Sequence, residues 1–149
     1  MSTKRTCIMG VGSWQADDCL GWQAIEQLHG RLPSSFLLRA VKAPIDIIDS
    51  LTDCTRLWIV DACISQDPPG TIHRCQWPSE QLALLRWSTT HDFSVKATLA
   101  LANQLGLLPA QVIVWAVTVK CMQFGETASA EVSQWLSRLI EQIVKECQQ

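Results

Sequence analysis

Thr6-Cys7-Ile8-Met9-Gly10-Val11-Gly12 is an apolar run punctuated by glycines near its end. It reads as a buried strand followed by a tight turn, in which Gly10 and Gly12 permit close backbone approach. A helix follows. Leu20, Ala24, Ile25 and Leu28 recur at the 3.6-residue period, Asp17 or Asp18 can cap its start, and Gly30 stands where a C-terminal cap belongs. Strand, glycine turn and helix in this order open an α/β unit.

The alternation continues along the chain. Phe36 to Val41 reads as a second strand, and Pro44 starts a short helix carrying Ile45, Ile48 and Leu51, with Asp46 in its first turn. Leu57 to Val60 reads as a third strand ending at Asp61, and Pro68-Pro69-Gly70 as a turn before an edge strand over Thr71 to Trp77. A loop through Ser79 to Thr90 leads to a helix from Asp92 to Leu105 with Val95, Leu99, Ala102 and Leu105 on one face, stopped by Gly106 and Pro109. Gln111 to Val119 reads as a central strand, and Ser129 to Cys147 as a helix with the stripe Val132, Leu136, Leu139, Ile140, Ile143 and Val144. These elements predict one domain over residues 1–149: a three-layer α/β fold with a five-stranded, mostly parallel sheet and one antiparallel edge strand, flanked by helices.

Composition narrows the function classes. Of 149 residues 48% are hydrophobic and 17% charged, and the net charge is -2, a poor fit to a disordered chain or a polybasic nucleic-acid binder. The run after Lys4 and Arg5 is too short for a signal-peptide core, and no window approaches the roughly 18 apolar residues of a membrane span. A cytoplasmic protein without membrane or nucleic-acid contacts is the expectation. The seven cysteines are odd in number and form no C-x-x-C pair, so they read as reduced thiols, neither a disulfide framework nor a zinc knuckle.

Gly10-Val11-Gly12 invites a dinucleotide-binding reading, yet the third glycine position of that fingerprint is Gln15, and Trp14 would crowd a pyrophosphate. The phosphate-loop, nucleophile-elbow and H-E-x-x-H patterns are absent. What remains is a set of polar groups at the carboxyl edge of the sheet: Asp17 and Asp18 after the first strand, Asp61 after the third, and His91 before the third long helix. Open α/β sheets place ligands at that edge, and two carboxylates with one imidazole can bind a divalent transition metal while leaving positions open. Each also has a structural reading: Asp17 or Asp18 as a helix cap, Asp61 bonded to a turn, His91 near a helix start. His29 and His73 read as structural, one near a helix end, the other in a strand away from the carboxyl edge.

Three blocks in order resemble the hydrogenase maturation proteases. Gly10-Val11-Gly12-Ser13 with Asp17-Asp18 and Gly21-Trp22 resembles their opening motif, Ile59-Val60-Asp61-Ala62 with Pro69-Gly70-Thr71 their middle motif, and Ser88-Thr89-Thr90-His91 their histidine loop. The resemblance spans about Cys7 to Leu136. It implies an endopeptidase that removes a C-terminal extension from the large subunit precursor of a nickel-iron hydrogenase after nickel insertion. It also implies that Asp18, Asp61 and His91 contact nickel carried by the precursor, and that these residues serve catalysis. The chain departs from the family pattern in the shorter loop through Ser13, Trp14, Gln15 and Ala16. It departs again in Val41-Lys42-Ala43-Pro44, where many members carry an Asp-Gly-Gly-Thr-like turn; that acid has no clear equivalent here, and its role is either lost or filled by Asp46.

Trp14 and Trp22 flank the acidic pair and could line a groove for the precursor's C-terminal peptide, although core packing also suits Trp22. Cys19 and Cys63 read as core thiols rather than nucleophiles. The attacking water is polarised by the metal or deprotonated by a carboxylate, and the sequence leaves both open. Two other readings stand beside the protease: a non-catalytic nickel-binding or chaperone-like maturation protein on the same scaffold, and a nucleotide-binding module.

Overall fold

The computed structural model describes residues 5–12, 20–87, 95–119 and 130–148. Strand β1 (Thr6–Val11) is buried along its whole length and pairs parallel with β2 (Phe36–Val41) on one side and β3 (Arg56–Ile64) on the other. Strand β6 (Gln111–Thr118), apolar and β-branched, pairs parallel with β3, and β4 (Ile72–Gln76) closes the edge antiparallel to β6. The order is therefore β2-β1-β3-β6-β4, the five-stranded, mostly parallel sheet that the alternation predicts. The two-residue strand β5 (Arg86–Trp87) adds an antiparallel pairing to the last residues of β3, Cys63 and Ile64.

Helices cover both faces. Helix α1 (Leu20–Leu28) buries Leu20, Ala24, Ile25 and Leu28, the face read from its period, and packs with α4 (Ala130–Cys147) over Ile8, Trp58, Val60, Trp115 and Val117. The other face is covered by the 3-10 segment Pro44–Asp53, by α2 (Glu80–Leu84) and by α3 (Val95–Gln104), which seat Ile47, Leu51, Leu82, Val95 and Leu99 on Cys7, Met9, Ile59 and Val114. Burying a side chain of this size contributes about 1.5–3 kcal/mol, so both layers share in holding the sheet.

Glycines set two features. Gly10 and Gly21 lie where β1 and α1 cross: a Cβ on Gly10 would run into the Gly21 carbonyl, and one on Gly21 into the Val11 carbonyl. The backbone approach foreseen at Gly10 is thus one of helix on strand. Gly106, at φ 69°, ends α3 in a reciprocal cap in which Leu107 N–H donates to Ala102 O at 2.9 Å and Gly106 N–H to Asn103 O at 3.1 Å.

Three sequence readings need correction. Strand β3 does not stop at Asp61 but runs on through Ala62, Cys63 and Ile64, so Asp61 is an interior position. The segment after Ser79 is not a plain loop but contains α2 and β5. The thiols are not all reduced: Cys7 in β1 and Cys54, at the end of the 3-10 segment, are disulfide-bonded. Cys63, Cys75 and Cys147 are free.

Candidate functional site

Asp61 is fully buried, and its Oδ1 accepts the N–H of Ala62 at 2.8 Å. Side chains alternate along β3, so Asp61 shares a face with Leu57, Ile59 and Cys63, the face that α3 covers. In register it lies level with Ala116 of β6, which in turn lies level with His73 of β4. Ala116, buried in the core, stands between them in that row.

His73 corrects a reading. The sequence placed it away from the carboxyl edge, but β4 runs antiparallel, so its first residues lie beside the carboxyl ends of β3 and β6. The His73 side chain is buried and anchors a ring of polar atoms. Its Nε2 lies 2.9 Å from Thr118 Oγ1, which lies 2.8 Å from Ser65 Oγ; Ser65 Oγ donates to Asp67 Oδ2 at 3.4 Å, and that oxygen lies 3.6 Å from His73 Nε2. Gln81 Nε2 approaches His73 Nδ1 at 3.4 Å. The ring borders a cavity of about 510 Å³, lined among others by Ile64, Ser65, Asp67, His73, Gln81 and Leu85.

Cys63 Sγ lies 3.8 Å from Thr118 Oγ1. Burial pushes its thiol up to about 11, the Thr118 hydroxyl pulls part of the way back, and the charge of Asp61 adds to the rise. A thiol held protonated in this way is a core residue, as the sequence reading had it.

The other site residues fall in two groups. Asp18 and His91 lie outside the described residues, as do Asp17, Trp14 and Cys19. Among the described residues no three His, Cys, Asp or Glu side chains converge to hold a metal ion. Trp22 is half-buried, and its indole Nε1 donates to Val41 O at 2.9 Å, fixing α1 to the end of β2 beside a shallow groove shared with Ile25, His29 and Lys42. Asp46 caps the 3-10 segment: its Oδ2 accepts the Ala43 N–H at 3.3 Å while its own N–H donates to Ala43 O at 3.0 Å.

The Ser65, Asp67, His73 and Thr118 ring was missed by sequence reading. Its members are spread over the loop after β3, β4 and β6, and only the sheet order brings them together. The one available signal was Pro68-Pro69-Gly70, a tight turn that returns the chain antiparallel and so puts the residue after Ile72 at the carboxyl edge.

Known proteins agree with this architecture. The family model of the HycI hydrogenase maturation proteases matches residues 27–146. Among solved structures, the hydrogenase maturating endopeptidase HybD from E. coli superposes with a TM-score of 0.73 at 20% identity, covering 93% of this chain and 89% of that one. The [NiFe] hydrogenase maturation protease HycI from Thermococcus kodakarensis KOD1 superposes with a TM-score of 0.75 at 18% identity, covering 98% and 94%. The hydrogenase 2 maturation peptidase from Thaumarchaeota archaeon SCGC_AB-539-E09 does so with a TM-score of 0.72 at 22% identity, covering 96% and 97%. No curated protein matches the sequence. The chain belongs to the hydrogenase maturation protease family.

Proposed function

We propose that the protein is an endopeptidase that removes a C-terminal extension from the large subunit precursor of a nickel-iron hydrogenase after nickel has been inserted. The observation that carries this reading is Asp61, a carboxylate buried in β3 toward the carboxyl ends of the parallel strands, in a chain of this family. Burying a carboxylate's charge costs several kcal/mol, and a dication brought by the substrate offsets part of that cost in the complex. Asp61 Oδ1 is already oriented by the Ala62 N–H, which fixes the plane of the carboxylate.

In this reading nickel is part of the substrate, held by precursor cysteines, and its coordination shell is completed by Asp18, Asp61 and His91. A nickel-free precursor lacks that anchor. Binding through the metal places the scissile peptide against the carboxylates, converting an encounter into a positioned reaction. A water then adds to the carbonyl carbon, the carbon–nitrogen bond breaks, and the released amine takes up a proton. The sheet supplies rigidity, because β3 pairs with β1 as far as Val60 and with β6 through Asp61 and beyond.

The test replaces Asp18, Asp61 and His91 by alanine one at a time and follows a nickel-loaded precursor by intact mass. Loss of the C-terminal peptide with the wild-type chain and not with the variants supports both the activity and the three residues. Cleavage that persists in all three variants contradicts the assignment, and nickel-dependent binding without any cleavage favours the non-catalytic maturation protein.

A further inference from the structure

The cavity beyond Asp61 begins at Ile64, three residues on along β3, which at strand rise is about 10 Å away. An extended peptide anchored near Asp61 therefore reaches it within about three residues in the appropriate direction. Its polar wall is fixed from several elements: His73 by β4, with Thr118 of β6 bonded behind it, and Asp67 by its own N–H, which donates to Ser65 Oγ at 3.1 Å.

The polar groups differ in what they offer an occupant. Ser65 and Thr118 bond each other, and both ring nitrogens of His73 are engaged by Thr118 and Gln81. Asp67 differs: its side chain is 55% exposed, against 6% for His73, and its contacts within the ring are long, at 3.4 and 3.6 Å. A carboxylate only accepts hydrogen bonds and has about four sites for them, so Asp67 retains capacity for a donor. Ile64 and Leu85 bring apolar surface to the same cavity.

We infer that this cavity is a specificity subsite for one side chain of the precursor near the cut bond, a side chain with an aliphatic stem and a hydrogen-bond-donating head, the head held by Asp67. The inference rests on the protease reading above. An acidic side chain is rejected by charge, and a purely apolar one offers Asp67 no donor beyond the long contact from Ser65. The His73, Thr118 and Ser65 ring is the support that keeps Asp67 in place, so these are positioning residues.

Asp67→Asn and Asp67→Lys in the full-length chain test the subsite, since a half-exposed side chain can be replaced without emptying the core; thermal melting checks this. Cleavage of nickel-loaded precursor is read as KM and kcat, first with the natural precursor and then with precursors carrying single changes to Glu within three residues of the cut. Asp67→Asn is expected to raise KM about tenfold with kcat within about twofold. One Glu substitution should stop cleavage by the wild-type chain and be rescued by Asp67→Lys. If both variants keep the wild-type KM, or no Glu precursor is rescued, the subsite is wrong while the protease reading stands. If the wild-type chain cuts no loaded precursor, the protease reading itself falls.

Discussion

At Asp61 a charge sits fully inside the sheet, with its own chain supplying a bond at 2.8 Å. Asp61→Asn keeps the shape and removes the charge, so processing should fall by about 100-fold or more, the scale of losing one preorganised electrostatic group. Far-UV circular dichroism should stay unchanged, and an Asn variant that processes at the wild-type rate would remove Asp61 from the site. This residue was legible in the sequence because a carboxylate directly after an apolar run is conspicuous. Its setting was not: a charge inside a run reads as a strand end, and only the pairing of Asp61 with Ala116 reveals that β3 continues. His73 was misplaced for a related reason, since a residue's end of the sheet depends on strand direction, which periodicity does not encode.

Long periodic elements were the legible ones. The α1 face, the α4 stripe from Leu136 to Ile143 and the edge position of β4 all follow from spacing, whereas α2 and β5, of five and two residues, are too short to leave a period. The Cys7–Cys54 bond joins residues 47 apart in sequence, in elements that only the fold brings together. The crossing of β1 and α1 yields a sharp prediction. Gly10→Ala forces a methyl into the Gly21 carbonyl, a backbone atom that cannot rotate away, and should cost about 3 kcal/mol in urea denaturation. A loss below about 0.5 kcal/mol would mean the two backbones do not touch. On the opposite edge, Arg74 joins Glu146 of α4 at 2.7 Å and lies 5.8 Å from the centre of the Trp115 ring, tying β4 to the helix layer. Arg74→Ala should cost about 1 kcal/mol, measured the same way, with no loss expected if the pair is only a solvated surface contact.

For the molecule as a whole, the three free thiols among the described residues link stability to pH. Burial raises Cys63, Cys75 and Cys147 above 9.0, Cys63 and Cys147 to about 11. The unfolded chain loses these protons first, so their contribution is complete below about pH 9 and declines as pH rises toward 11. The urea midpoint should be lower at pH 10 than at pH 8; an equal midpoint would show the thiols to be as accessible as in the unfolded chain. Among the described residues no helix is long and apolar enough to cross a membrane. The three-layer architecture and the family were both legible, because strand-helix alternation and three ordered motifs extend over most of the chain. The peptide subsite was not, since its parts meet only across the sheet order. Dependence of cutting on nickel carried by the substrate is read by offering the wild-type chain the same hydrogenase large subunit precursor with and without nickel and weighing the products. A mass loss equal to a C-terminal peptide is expected with the loaded precursor alone; equal cleavage of both forms would mean that nickel plays no part in recognition.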